Sequence, residues 1–381
     1  MPTETTRPIA DDPQLDATLH LAFDLGNTEW TFACTPAVAV APRVRTMPAR
    51  DLPRLVAEFE AARRHFGLPP AAPIRTCYEA GRDGFWLHRA LAGAGIPNVI
   101  VDSASIEVNR RARQAKTDRL DATALLRLLL RYQAGETRVW RVVHVPTVDE
   151  EDRRHAHREL VRLTREHTRS VNRIKGLLAG HGVRLTTLRS FPVQLPKLRQ
   201  WDGTALPPGV CVRLEATWAR LLLVRAQRKT LVTARRALLE SSRDPAVDMV
   251  RRLLRLKGIG EVSAWLFTME FFAWRRFRNR REVGALAGLA PVPRRSGDAK
   301  RDAGISKAGN ATLRALAVEL AWGWLRWQPT SALSEWYRRR YATGGARLRR
   351  IGIVALARRL LIALWRYVEQ DQVPTGATLK T

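Results

Sequence analysis

The strongest constraint on the fold is the change of hydrophobic period within residues 18–135. Leu19–Asp24 and Glu29–Cys34 have strand character and are separated by Leu25-Gly26-Asn27-Thr28. Gly-Asn is good turn chemistry, so these runs predict a β-hairpin. A third strand is expected near Val44–Met47. From Asp51 to Phe66 the apolar residues Leu52, Leu55, Val56, Phe59 and Ala62 follow helical spacing, and Gly67-Leu68-Pro69-Pro70 ends the helix. Ile74–Tyr78 reads as a short buried strand, Phe85–Leu91 as a helix and Val99–Val101 as a strand. Leu120–Tyr132 is a further helix, with Leu125, Leu126, Leu129 and Leu130 apolar.

A hairpin-led sheet continued by alternating helices and strands predicts an α/β domain over residues 18–135 of the RNase H-like kind, an order that actin-like kinases also share. The rest differs in character. Residues 1–17 are polar and proline-punctuated, which predicts a flexible tail. Glu150–Leu178 and Arg213–Leu239 are long, charged and apolar at three- and four-residue steps, so residues 136–245 are expected to form a linker and a helical hairpin or coiled coil. Two ordinary amphipathic helices packed on a globular domain are the alternative. After Asp244-Pro245, residues 246–370 predict a mostly helical C-terminal domain, with 371–381 as a tail. The fold class is therefore α/β plus all-α.

Charge narrows the partners. The 381 residues hold 65 Lys+Arg against 36 Asp+Glu, a formal net charge of +29. Neutralising phosphates releases counterions, so such an excess predicts a nucleic-acid partner. Cys34, Cys77 and Cys211 are too dispersed for a disulfide framework or a zinc site. The N-terminus lacks signal-peptide patterning, and the apolar stretch Ile351–Trp365 is interrupted by Arg358-Arg359. The expectation is a cytoplasmic protein with no membrane association.

Four carboxylates stand at places where this fold would gather them. Asp24 ends the first strand, Glu79 follows the Ile74–Tyr78 strand, and Asp118 and Asp121 lie three apart at a helix start, on one face. Four such charges share a small volume only if cations compensate them, and two Mg²⁺ ions would do so while polarising a phosphoryl oxygen. Ordinary helix capping is the competing explanation for Asp118 and Asp121. Arg110, Arg111, Arg113, Lys116 and Arg119 surround that pair and predict a phosphate-tracking surface, a solvated basic loop being the alternative. The Asp24-to-Thr28 string also suits an actin-like kinase, but that fold needs a second Asp-Gly phosphate loop in a duplicated α/β half, and the second half here is helical.

In the C-terminal region, Leu256–Ala264 has the form of a helix-hairpin-helix, in which Gly258 and Gly260 let backbone N–H groups approach a phosphate. A pair of cap glycines between packed helices is the alternative. Phe271–Arg301 carries nine Lys/Arg against two acids. Within it Ser296 follows Arg294-Arg295 and precedes Gly297, a setting suited to a nucleophile attacking a phosphodiester held by cations, an ordinary loop serine being the alternative. Lys300 and Lys307 are further candidate nucleic-acid contacts. Ser306 is a rival serine, more simply explained as the cap of a helix from Ala308. Of the late tryptophans, Trp322, Trp324, Trp327, Trp336 and Trp365, most are expected in the core and one or two on bases.

Taken in order, several strings resemble the DEDD-type insertion-sequence transposases, the IS-one-ten family of bridge-RNA-guided serine recombinases. They are Phe23-Asp24-Leu25-Gly26, Tyr78-Glu79-Ala80-Gly81, Lys116–Ala122, Lys257–Gly260, Gly288-Leu289-Ala290-Pro291, Arg295-Ser296-Gly297, Ile305–Asn310, Leu313-Arg314 and Ala355–Leu360. The resemblance covers nearly the whole chain after residue 18. It implies Asp24, Glu79, Asp118 and Asp121 as the metal-binding tetrad of a RuvC-like domain, Ser296 as the residue that links covalently to DNA, and an active site composed of the RuvC-like domain of one protomer and the serine domain of another. It further implies Mg²⁺, donor and target DNA, a structured non-coding guide RNA, a dimerising coiled coil and assembly of dimers into a tetramer. A metal-dependent nuclease or junction resolvase and a non-catalytic nucleic-acid scaffold are the alternative functions.

Overall fold

The computed structural model describes residues 18–81, 84–106, 117–296 and 299–380. The chain divides into two compact units between Val145 and Pro146.

The first unit runs β1 (Leu19–Leu25), β2 (Glu29–Thr35), β3 (Arg43–Pro48), α1 (Leu52–His65), β4 (Ile74–Glu79), α2 (Trp86–Gly93), β5 (Asn98–Val101) and α3 (Asp118–Gln133). Each element predicted in this region is present, with ends displaced by at most two residues. The five strands lie in the order β3-β2-β1-β4-β5. β1, β2 and β3 pair antiparallel, whereas β4 runs parallel to both β1 and β5.

Strand alternation explains what covers each face. Leu21, Phe23, Phe32 and Tyr78 point one way and pack with Leu55 and Phe59 of α1 and Leu87 and Leu91 of α2. The small side chains Ala22, Ala33 and Cys77 point the other way and let α3 sit close through Ala122, Leu125, Leu126 and Leu129. Burying a leucine of this kind contributes about 2 kcal/mol. Asp51 starts α1 by accepting the Arg54 N–H at 2.9 Å.

The second unit holds α4 (Val148–Ala179), α5 (Phe191–Gln194), α6 (Pro208–Ser241), α7 (Pro245–Arg255), α8 (Glu261–Phe267), α9 (Arg280–Leu286), β6 (Pro291–Ser296), β7 (Ala299–Ile305), α10 (Ala311–Trp327), α11 (Ala332–Tyr337) and α12 (Ala346–Gln370). α4 opens on a capping box between Thr147 and Glu150. It pairs antiparallel with α6. Ile174 and Leu178, late in α4, share a cluster with Val210 and Leu214, early in α6. At the other end Arg235 donates to His157 at 2.8 Å, and Arg153 pairs with Asp244 just beyond α6.

The core of this unit gathers Val250 and Leu253 of α7, Phe267 of α8, Leu313 and Trp324 of α10, and Leu356, Leu360 and Leu364 of α12. The C-terminal residues pack back onto it. Gln328 donates to the carbonyls of Lys257 and Thr378 at 2.8 Å each, and Lys380 N–H donates to Arg255.

Where α4 meets the five-residue π-helical turn Thr268–Phe272, Arg154, His157 and Glu270 are buried together, and the exposed Arg158 pairs with Glu270 from the surface. Arg158 forks onto Glu270 with bonds of 2.7 and 2.8 Å. Burial alone would raise the Glu270 pKa, but Arg158, with Arg154 and His157, holds it below the usual carboxylate range. Burial, with the Arg235 guanidinium adding to it, pushes His157 down to about 4 from 6.5. The folded imidazole is thus neutral, matching its role as acceptor from Arg235. Both groups bind fewer protons folded than unfolded in mild acid, so stability falls as pH falls. His157 contributes fully above about pH 6.5 and loses that contribution progressively down to about pH 4, roughly 2 kcal/mol of it by pH 5. Chemical denaturation from pH 7 to pH 5 should show this loss, and His157→Gln should flatten the pH dependence.

Candidate active site

Asp24 and Glu79 are brought together by strand pairing. β1 and β4 run in parallel register, with Ala22 opposite Cys77 and Phe23 opposite Tyr78, so the two acids follow side by side at the carboxyl ends. That edge is where open α/β sheets place their sites. A cavity of about 160 Å³ lies there, lined by Asp24, Leu25, Tyr78, Glu79, Ala80, Gly81 and Gly84. Local features hold its walls. Tyr78 Oη donates to the Gly84 carbonyl at 3.2 Å, and Ser103 Oγ donates to the Ala80 carbonyl at 3.2 Å. Gly26 is required in the turn after Asp24, since a Cβ there would collide with the Glu29 carbonyl.

Asp118 and Asp121 are exposed in the first turn of α3, where Thr117 accepts the Leu120 N–H at 3.3 Å. Asp118 stacks one turn below Ala122, and Asp121 one turn below Leu125. Both of these apolar residues pack on the sheet face that carries Ala22 and Cys77. By strand alternation that is the face toward which Asp24 and Glu79 point. Still, among the described residues no group of three or more His, Cys, Asp or Glu side chains lies close enough to hold a metal ion together. The Asp24/Glu79 pair nevertheless fits Mg²⁺, a hard cation that takes oxygen ligands, keeps several waters and is commonly held by one or two carboxylates.

Ser296 is the last residue of β6 and lies opposite Ala299 at the far end of the β6–β7 hairpin. The structure describes the backbone here. The side chains of Ser296, Arg294, Arg295 and Lys300 lie outside the described residues, and Arg113 and Lys116 lie outside them altogether.

The hairpin is anchored at its base by two glycines. Gly288 (φ +69°) lies so close to the Ala308 carbonyl, and Gly309 (φ +82°) to the Leu286 carbonyl, that neither position has room for a Cβ. Lys307 N–H bonds the Gly288 carbonyl and Ser306 N–H the Ala290 carbonyl. Ser306 is thus not a helix cap. Asn310 caps α10, accepting the Thr312 and Leu313 N–H groups. Lys307 itself is exposed with φ +56°.

Gly258 (φ +89°) turns the chain between α7 and α8, and its missing Cβ makes room for the Trp327 side chain. Gly260 is the N-cap of α8, with open space where a Cβ would stand. Trp324 and Trp365 are buried, Trp336 is half-buried, and Trp322 and Trp327 are exposed.

Sequence reasoning missed the hairpin and a large arginine-lined groove along α12. Pro291 and Pro293 break the alternation that would reveal a strand, and a register shift lies between them. The Gly297-Asp298 dipeptide between two runs was the available hairpin signal.

The Transposase IS116/IS110/IS902 family matches residues 250–351. The Sinorhizobium fredii protein y4rJ, which bears a transposase name, is 40% identical over 379 residues, covering 95% of each chain. The transposase for insertion sequence element IS1111A of Coxiella burnetii is 25% identical over 240 residues, covering 63% of this chain and 62% of its own. A transposase is the class these likenesses define. This chain belongs to the IS116/IS110/IS902 transposase family, and so to the enzymes that process DNA. No helix among the described residues is long and apolar enough to cross a membrane.

Proposed function

We propose that this transposase exchanges DNA strands through a covalent phosphoserine intermediate on Ser296, assisted by Mg²⁺ and directed by a structured guide RNA. The observation that carries the reading is the pairing of Asp24 and Glu79 at adjacent strand ends, in a chain whose family acts on DNA. The sheet order β3-β2-β1-β4-β5, with its antiparallel hairpin leading into parallel strands, supports a RuvC-like first unit. The paired long helices α4 and α6 support a dimerising coiled coil and a dimer-to-tetramer assembly.

In this mechanism the Ser296 hydroxyl loses its proton and its oxygen attacks the scissile phosphorus. The Ser296 Oγ–phosphorus bond forms as the bond to one deoxyribose oxygen breaks, and that oxygen takes up, by way of solvent water, the proton Ser296 released and leaves as a hydroxyl. A deoxyribose hydroxyl of the new partner strand then reverses the step, so the phosphodiester is conserved without ATP. Asp24 and Glu79, with Asp118 and Asp121 on the same sheet face, would hold Mg²⁺. When bound, the metal supplies charge stabilisation at the phosphoryl oxygens and favours the serine alkoxide. Arg294, Arg295, Lys300 and Lys307 would grip phosphates near the serine, Arg113 and Lys116 would do so near the α3 acids, and Gly258 and Gly260 would offer backbone donors. Base pairing by the guide RNA, rather than side chains, would select the sequence.

The protein purified from cells carrying its own mobile element tests the guided reading. Sequencing its bound nucleic acid should return one defined, structured RNA in strong excess over a sample of cellular transcripts. A random sample of transcripts would contradict guidance.

A further inference from the structure

The second unit holds a groove of about 1170 Å³, larger than the roughly 300–1,000 Å³ of small-molecule sites. One wall is a stripe of α12, in which Arg347, Ile351, Val354, Arg358, Ile362 and Arg366 recur at three- and four-residue steps. Leu333, Trp336 and Tyr341 stand in the lining beside it, and Arg359 stacks over the Trp336 ring at 4.1 Å. Arg280 and Arg281 of α9, with Pro291 and Ile305 at the base of the β6–β7 hairpin, complete the lining.

Charge identifies the occupant. Among the described residues seven arginines and no carboxylate line the groove, and none of the seven is in an ion pair. The Arg358 Nε is buried without a hydrogen-bond partner. An arginine rim suits phosphates. The interior suits something else, because it is aliphatic and aromatic. A duplex would present only its phosphates to such a groove, whereas an unpaired strand also offers apolar base faces for stacking. The groove also adjoins the strand that carries Ser296, which lies five residues beyond Pro291, about 16 Å along β6.

We propose that this groove is a binding site for single-stranded DNA, holding an unpaired segment of the strand on which Ser296 acts. The assignment to DNA rather than RNA, and to the reacting strand, rests on the proposed role of Ser296, whereas the affinity for an unpaired strand does not depend on it.

The test is equilibrium binding of a labelled oligothymidylate to the full chain, in chelator and in the Ser296→Ala background, so that no chemistry contributes. Replacing Arg347, Arg350 and Arg366, all exposed, with serine should lower affinity at least tenfold. It should also make the salt dependence shallower by about two powers of salt concentration, as expected for three lost contacts to a single strand. Loss for an oligouridylate or for duplex DNA should be smaller. Trp336→Phe should retain most affinity and Trp336→Ala should not, with circular dichroism and thermal melting confirming that each variant is folded. Unchanged affinity and salt slope in the folded triple variant would overturn the proposal. So would an equal or larger loss for RNA, for duplex or for a polyglutamate competitor, each of which would assign the groove to that partner. A missing covalent adduct elsewhere would leave this binding result standing, so the two readings fail separately.

Discussion

Ser296→Ala is expected to eliminate the covalent protein–DNA product and with it strand exchange, a loss of at least about 10³-fold. The substitution removes one hydroxyl from the end of β6, so the melting temperature should not move and DNA binding should persist. The same variant separates the two enzymatic readings. A nuclease that hydrolyses with metals alone keeps full cleavage without the serine, whereas the phosphoserine mechanism loses it. A variant of Ser306, whose backbone is tied to Ala290 at the hairpin base, should keep the covalent product.

The second large effect falls on the acid pair. Asp24→Asn and Glu79→Gln keep shape and polarity but remove the charge that would bind Mg²⁺, so each should lower strand cleavage by about 10²-fold or more. Chelation of the wild-type protein should give the same loss, with activity restored by Mg²⁺. Because Glu79 is exposed, its variant should remain folded, which separates loss of chemistry from loss of structure. Cleavage that persists in chelator with both acids replaced would support a nucleic-acid scaffold whose apparent activity comes from elsewhere.

How far these sites were legible depended on which physical signal each one used. The first unit was read nearly element by element, because its period switches between two and 3.6 are clean and its turns carry Gly-Asn and Gly-Leu-Pro-Pro. The pairing of Asp24 with Glu79 followed from that reading, since strand order places β1 beside β4. Whether Asp118 and Asp121 join them was not legible, because it depends on where α3 sits along the sheet rather than on local pattern. Strand alternation and the packing of α3 turn all four toward one side of the sheet, and among the described residues no three of them are gathered closely enough to share a metal ion.

The second unit was harder for a different reason. Pro291, Pro293 and a bulge disguise the hairpin that carries Ser296, so the sequence there reads as a loop. The groove along α12 was hidden because its arginines come from α9 and α12 and face one space only after packing. Gly288 and Gly309 could be picked out as motif glycines, but the reason each must be glycine, a mutual close approach of two backbones, is a tertiary fact. The buried Glu270 and His157, with the exposed Arg158 that pairs with Glu270, likewise bring together residues more than a hundred positions apart.

The decisive experiment is to trap the protein on DNA in Mg²⁺, digest the adduct and map the modified residue by mass spectrometry. The expected result is a single nucleotide-bearing peptide with the phosphate ester on Ser296, absent when Asp24 is replaced by asparagine. A phosphate ester on any other residue, or DNA cleaved in full with no adduct at all, would contradict the phosphoserine mechanism.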